Sequence, residues 1–374
     1  MKTLRKLIYR DTISAIGFVV LAFLAMFFFF DLLDEMGDVG KEVGSATYTV
    51  WHALLTVTLS LPKHLYELLP IAVLIGSIFV MARFAQSSEF TIMRTSGLGP
   101  WLALRTMLTL GAGFVVLTIL VGDYIAPAAE RFGMAAQAKY LGKTSTQGST
   151  GAWLKEKNKQ GNTLAVNVRT VRADGALTGV RIFEFDPQGR MVLQIHADTA
   201  QIEEDAPTWS LSQARVARFQ YDDSTTPVSA NLQRETKDLQ WPSSISSEML
   251  IASIHKPDRM PTIELFQFIQ HLKANDQSAQ KYEIEFWRKV FYPLSCLVMV
   301  VLALPFAYLH FRSGGIAGYV FGGVMAGISF FLLNNVFGFA GNLQQWSPML
   351  TAAAPGLIYS LLSLGAFAWL VIRR

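Results

Sequence analysis

The stretch Arg83–Arg105, RFAQSSEFTIMRTSGLGPWLALR, decides how the rest of this chain is read. It is a short polar interruption between two long apolar runs, with Arg83, Arg94 and Arg105 spaced along it. Apolar runs of about 20 residues suffice to cross a hydrocarbon core. A brief basic loop between two such runs belongs on the cytoplasmic side, where Lys and Arg of membrane proteins concentrate. Its helix-forming residues predict a short helix over about 87–97, offered to a partner in the cytosol.

Working outward, the same length test gives six spans: about Ile13–Phe30, Leu65–Phe84, Trp101–Val121, Val290–Leu309, Ile316–Phe339 and Met349–Ile372. The first is expected to stay as a helix rather than act as a cleaved signal. It lacks a small-x-small site, and its apolar core runs through Phe27, Phe28, Phe29 and Phe30 into Asp31. Lys2, Arg5, Lys6 and Arg10 precede it; Arg312 and Arg373–Arg374 fall on the same side of a six-span chain as Arg83, Arg94 and Arg105. The opposite loop after the first span is expected to carry Asp31, Asp34, Glu35, Asp38 and Glu42 against Lys41 alone. Both termini are therefore expected in the cytoplasm.

Composition agrees with spanning helices plus one water-soluble domain. The chain is 51% apolar and 16% charged, and its mean hydropathy is +0.32; this is too apolar for an ordinary soluble protein and too polar for a purely membrane-buried one. A single cysteine, Cys296, excludes an intrachain disulfide. A net charge of +4, spread over membrane edges, does not suggest a nucleic-acid surface.

Between the third and fourth spans lies a polar stretch that the topology places outside the cytoplasm. Leu164, Val166 and Val168 alternate with polar or small neighbours, as do Met191, Leu193 and Ile195, the period of half-buried strands. Asp186-Pro187-Gln188-Gly189 signals a tight turn; Trp209-Ser210-Leu211 opens another strand, and Val228–Leu239 holds one or two more. Several short strands at close spacing predict a sandwich or jelly roll. After Pro261, the helical period of Ile263, Phe266, Ile269 and Leu272 predicts an amphipathic helix that lies on the outer membrane surface and leads into span four. The expected division is 1–130 for spans one to three with the cytosolic helix, 131–260 for the β domain, and 261–374 for the connecting helix and spans four to six.

Catalytic patterns are absent from the sequence. The six histidines form no HExxH and no i,i+4 pair, and no G-x-S-x-G occurs. Gly142-Lys143-Thr144 resembles the end of a phosphate-binding loop, but Gln137 stands where its first glycine belongs. No cofactor, metal or catalytic residue is expected. A chain with a cytosolic docking helix and no nucleotide site is read as drawing energy from a separate ATPase.

Ser87 to Gly97 (SSEFTIMRTSG), Tyr124-Ile125-Ala126-Pro127 as a turn after span three, and Pro293-Leu294-Ser295 in span four, on six spans with a β domain between the third and fourth, together resemble the LptF/LptG permeases of the lipopolysaccharide export ABC transporter. The Ser-Glu-x-x-x-Met-x-x-Ser-Gly pattern and Leu61-Pro62-Lys63 at the start of span two are more similar to the LptG branch than to LptF. The resemblance covers essentially the whole chain. It implies a bacterial inner-membrane subunit that is itself not an enzyme. Its partners would be an LptF-like permease, a dimer of an LptB-like ATPase, and LptC and LptA, which carry lipopolysaccharide onward through jelly rolls joined by strand addition.

On that resemblance Glu89 is the acid that meets an ATPase arginine, Arg94 is either a second contact or a lipid-phosphate anchor, and Gly97 ends the helix in a left-handed cap. Lys41, Lys63, Arg131, Arg288 and Lys289 lie at expected outer ends of spans, where basic residues are disfavoured, and are candidates for lipid A phosphates; headgroup snorkelling is the plainer alternative. Relatives often carry a Lys pair after span one, where this chain has Asp34-Glu35. Phe29 and Phe331, in the clusters Phe27–Phe30 and Phe330–Phe331, are candidates for acyl-chain contact; aromatics facing lipid are the plainer alternative. Span five, a lateral gate in this family, carries Gly314, Gly318 and Gly322, and separately Gly323 and Gly327, which suit close helix approach. A membrane-tethered enzyme would need a nucleophile or metal constellation in the β domain. A sensor or scaffold would need neither docking acid nor gate.

Overall fold

The computed structural model describes residues 2–43, 46–141, 151–158, 160–171, 176–202, 208–221, 227–234, 238–243, 245–246, 249–250, 257–308 and 316–372. Arg312, Gly314, Arg373, Arg374 and Gly142-Lys143-Thr144 lie outside these residues. The chain divides into two compact units: one of 1–39, 50–130 and 280–374, the other of 40–49 and 131–279.

The first unit holds helices long and apolar enough to cross a membrane, six among the described residues when the span continuing into the second unit is included: Thr3–Met36, Val50–Gln86, Pro100–Gln137, Gln280–Tyr308, Ala317–Leu343 and Pro348–Trp369. Several run well past the apolar windows, because helical hydrogen bonds do not require apolar side chains. The first helix continues to Met36, so Asp31, Asp34 and Glu35 stand on its last turns and not in a loop, as the sequence reading had it. Gly37 begins the turn that follows, its N–H bonded to the Asp34 carbonyl at 3.2 Å. Likewise Pro62 and Pro70 lie inside one helix, Val50–Gln86. The expected turn at Tyr124–Pro127 is instead a π-helical turn, Val121–Ile125, running directly into the helix Ala126–Leu141. Pro127 has no N–H to give the helix, and a wider turn, with the Ala126 N–H bonded to the Val121 carbonyl, carries the chain past it without a break.

The second span is the centre of this unit. Leu69 to Ile78 are all buried, as are Val80, Met81, Ala82 and Phe84. Small residues let neighbours close on it: a Cβ on Gly76 would lie 2.7 Å from the backbone nitrogen of Ile16 on the first span. The third and fourth spans close in the same way, Gly111 facing the Leu297 Cα. Spans five and six meet where the Tyr359 hydroxyl donates to the Ala326 carbonyl at 3.0 Å and its ring stands edge-on to Phe330. The first span, by contrast, buries little of its apolar surface within the chain.

The second unit is an antiparallel sheet with a helix. Its strands are β1 (Glu42–Val43), β2 (Ala46–Thr47), β3 (Ala152–Lys157), β4 (Thr163–Val171), β5 (Leu177–Phe185), β6 (Met191–Ile202), β7 (Thr208–Ser212), β8 (Arg215–Tyr221), β9 (Pro227–Arg234) and β10 (Leu239–Pro242). Strands β1 and β2 form a separate ribbon; the rest run β10-β7-β6-β5-β4-β3, with β8 also on β6 and β9 on β8. Strand β6 pairs β8 through Leu193–His196 and β7 through Thr199–Ile202, so the sheet divides along it, as a jelly-roll-like sheet must. Leu154, Val166, Ile182, Ile195 and Val216 occupy one row across β3, β4, β5, β6 and β8 and are buried. The β5–β6 turn forms where expected: Asp186 Oδ1 accepts from the N–H groups of Gln188 and Arg190, and Gly189 takes a φ of 81°. The helix Thr262–Ala274 begins after Pro261 as expected. It clusters with the strands, burying Leu265, Phe268, Ile269 and Leu272; Asn275 beyond its end accepts from the Lys157 N–H of β3 at 2.9 Å.

Candidate functional site

The short helix expected over 87–97 spans Glu89–Thr95. Phe90 and Met93, three residues apart, share a face and are 3% and 4% exposed. Phe90 stands edge-on to the Tyr308 ring at 5.0 Å, and the Arg94 guanidinium lies over the same ring at 5.2 Å, within range of a cation–π contact. The end is closed by Gly97, with φ 100°: its N–H bonds the Arg94 carbonyl at 3.0 Å while the Leu98 N–H bonds Met93 at 2.9 Å. That bond pair, with buried Leu98 behind it, is the glycine-terminated helix stop in which only a residue free of Cβ strain fits easily. The adjoining face presents Glu89 and Ile92, both exposed, Ile92 to 64%. A carboxylate beside a bare aliphatic side chain forms a compact spot that can take one cation and one apolar neighbour. Nearby, Arg83 is paired with Asp11 of the first span.

The basic candidates have different surroundings. Lys63 is half-buried on the second-span helix. Its neighbour His64 places Nε2 2.8 Å from Asp31 Oδ2, which also accepts from the Ser60 hydroxyl at 3.0 Å, while the Phe27 ring stacks on the imidazole at 4.7 Å. This junction of spans one and two was not foreseen; its members lie about 30 residues apart and no local pattern marks them. Arg288 donates to the Asn334 carbonyl at 2.9 Å and pairs with Glu285 at 3.2 Å. It fits because Gly338 has no side chain where the guanidinium runs. Lys289 is buried, its Nζ 4.0 Å from Asp123 on the π turn. Both residues are thus engaged inside the bundle, joining spans three, four and five. In the β-rich unit, Lys41 is exposed and its carbonyl accepts from the Tyr48 N–H, and Arg131 is paired with Glu264.

The glycines of span five separate into two faces. Gly323 and Gly327 pack on the second span, where a Cβ would come within 2.7 Å of Ile78 and 2.9 Å of Ile71. Among the described residues nothing packs on Gly318 or Gly322. Phe29, edge-on to Phe30, is 56% exposed and Phe331 41%.

The family described as "Lipopolysaccharide export system permease LptF/LptG" matches residues 6–373. Similar curated relatives include the lipopolysaccharide export system permease protein LptG of Haemophilus influenzae, 26% identical over 375 residues that cover 100% of this chain and 99% of the relative. LptG of Escherichia coli K12 is 28% identical over 337 residues, 89% of each chain. With the family match running nearly end to end, over six membrane-length helices and an antiparallel sheet between the third and fourth, the chain belongs to the LptF/LptG family of lipopolysaccharide export permeases.

Proposed function

We propose that the chain is the LptG-type subunit of an inner-membrane ABC transporter that extracts lipopolysaccharide from the membrane and passes it toward a periplasmic jelly-roll bridge. In this reading both termini are cytoplasmic and the β-rich unit is periplasmic, in keeping with the basic residues of the 83–105 loop. The chain performs no hydrolysis; an LptB-like ATPase dimer supplies it. An LptF-like permease completes the translocation path, and LptC and LptA receive the glycolipid.

One observation carries the reading: the helix Glu89–Thr95 is anchored by Phe90 and Met93 and offers Glu89 and Ile92 outward. A helix held on one face and open on the other transmits a push from a docked partner to the spans on either side of it. Gly318 and Gly322, bare among the described residues, supply a surface on which a second permease helix can close and part. Phe29 and Phe331 suit acyl chains, and Lys63 a phosphate. Lys41 and Arg131 remain candidates for phosphate contact; Arg288 and Lys289 act in this scheme through the spans they join.

The test is Glu89→Ala in the reconstituted complex. The variant should insert and fold normally while losing the ATPase on purification or uncoupling hydrolysis from lipopolysaccharide release. Normal assembly and normal transport by the variant would refute the docking role.

A further inference from the structure

Outside the apolar interior of the β-rich unit, one register row crosses five neighbouring strands on the other face of the sheet. Trp153 of β3 opposes Asn167 of β4, which opposes Arg181 of β5, then His196 of β6, then Arg215 of β8. Four interstrand steps make this row roughly 19 Å long. Arg169 lies beside it across Gly179, whose missing side chain leaves the arginine stem room. Asp198 is the acid on this patch, paired with Arg215 at 3.5 Å. At the β3 end Trp153 is 51% exposed and stacks on Phe183 with ring centroids 6.1 Å apart.

Cations in a line attract a polyanion. A flat aromatic pair held open to solvent adds an apolar platform that an acidic peptide does not need and a sugar ring, with its C–H face, does. Burial pushes the His196 imidazole below its ordinary value, and the guanidiniums of Arg215 and Arg181 push it further; the ring is thus kept neutral at pH 7 as a hydrogen-bonding group within a cationic field. We propose that this outer face, formed by Trp153, Phe183, Arg169, Arg181, His196 and Arg215, binds the phosphorylated saccharide portion of the transported glycolipid. The proposal rests on the lipopolysaccharide-export reading and adds to it a second place of contact, on the sheet.

The probe is phosphorylated core oligosaccharide released from lipopolysaccharide by mild acid, titrated calorimetrically into the purified full-length chain in detergent. Arg181→Gln with Arg215→Gln, the first half-buried and the second exposed and the variant checked for strand content by circular dichroism, should weaken binding about tenfold or more, since hydrogen bonds to charged groups carry such factors. Trp153→Ala should weaken it independently, phosphatase-treated oligosaccharide should bind less tightly, and added salt should weaken the native interaction. Absence of binding, binding unchanged in the double variant, or tighter binding of poly-glutamate would overturn the proposal, the last by marking a surface for an acidic protein. A parallel release assay with the permease pair and ATPase in proteoliposomes separates the two levels. Failure of the native complex to release lipopolysaccharide sinks the export reading. Normal release with the double variant, joined to unchanged oligosaccharide binding, sinks this inference alone.

Discussion

Phe90→Ala tests how the short helix Glu89–Thr95 is held. Seven residues are too few for a helix to persist in water, where isolated helices below about 12 residues are marginal; Glu89–Thr95 exists because Phe90 and Met93 are docked. Truncating a buried phenylalanine costs about 3–5 kcal/mol in lost transfer and cavity energy. Here the loss includes the edge-on contact with Tyr308. Such a cost shifts docking of this segment by a factor of about one hundred or more. Phe90 sits where the helix meets the buried cluster of the spans, and the apolar runs that carry insertion are unchanged, so the chain should still insert. Amide hydrogen exchange across residues 89–95 should accelerate by that factor, and the ATPase should be lost. Glu89→Ala is the control: the side chain is exposed, its removal costs within about 0.5 kcal/mol, and exchange should stay slow although the ATPase is lost. Unchanged exchange in Phe90→Ala would refute the anchoring. Equal acceleration in both variants would refute the separation of an anchor face from a docking face.

Gly323→Val should lower the thermal stability of the isolated chain, because its Cβ would press on Ile78, whereas Gly318→Val, facing open space, should leave that stability unchanged and reveal any defect only when a second permease is present. Asp123→Ala should lower the thermal midpoint of the chain, because it removes a carboxylate 4.0 Å from a buried ammonium; Lys289→Met, which removes the buried charge itself, should cost less. The β-rich unit should lose stability as pH falls. Burial pushes the His271 imidazole down, against the upward pull of Glu156 and the Lys155 carbonyl. The unfolded chain therefore takes up the proton first, stability is fully present above the ordinary histidine value of about 6.5, and it is lost as pH drops through and below that value. Near-ultraviolet circular dichroism melts at about pH 7.5 and 5.5 should show this, and His271→Gln should reduce the difference, with the part due to His196 remaining; a melt independent of pH would contradict it.

Sequence alone determined the elements whose signals are local. A membrane needs a length of apolar chain, and that length is written in runs such as Leu65–Phe84. Strands depend on alternation such as Leu164, Val166 and Val168, and the β5–β6 turn on Asp186 and Gly189 with their own backbone. The helix at Glu89–Thr95 and its end at Gly97 were legible for the same reason. Phe90 and Met93, at i,i+3 spacing, were legible in principle as its anchor.

Tertiary structure decided whatever depends on residues brought together from afar. Hydropathy marks where a chain enters lipid but not where its hydrogen bonds stop, so Asp31, Asp34 and Glu35 proved helical and Pro127 was absorbed in a π turn. Charge at a span end does not say which way a long side chain turns: Arg288 and Lys289 look alike to Lys63 in sequence, yet packing against Gly338 and Asp123 draws both into the bundle. Glycines four apart look equivalent until a neighbouring helix covers Gly323 and Gly327 and leaves Gly318 and Gly322 bare. The line from Trp153 to Arg215 arises from strand register, which backbone pairing sets across more than 60 residues of chain and no single strand encodes.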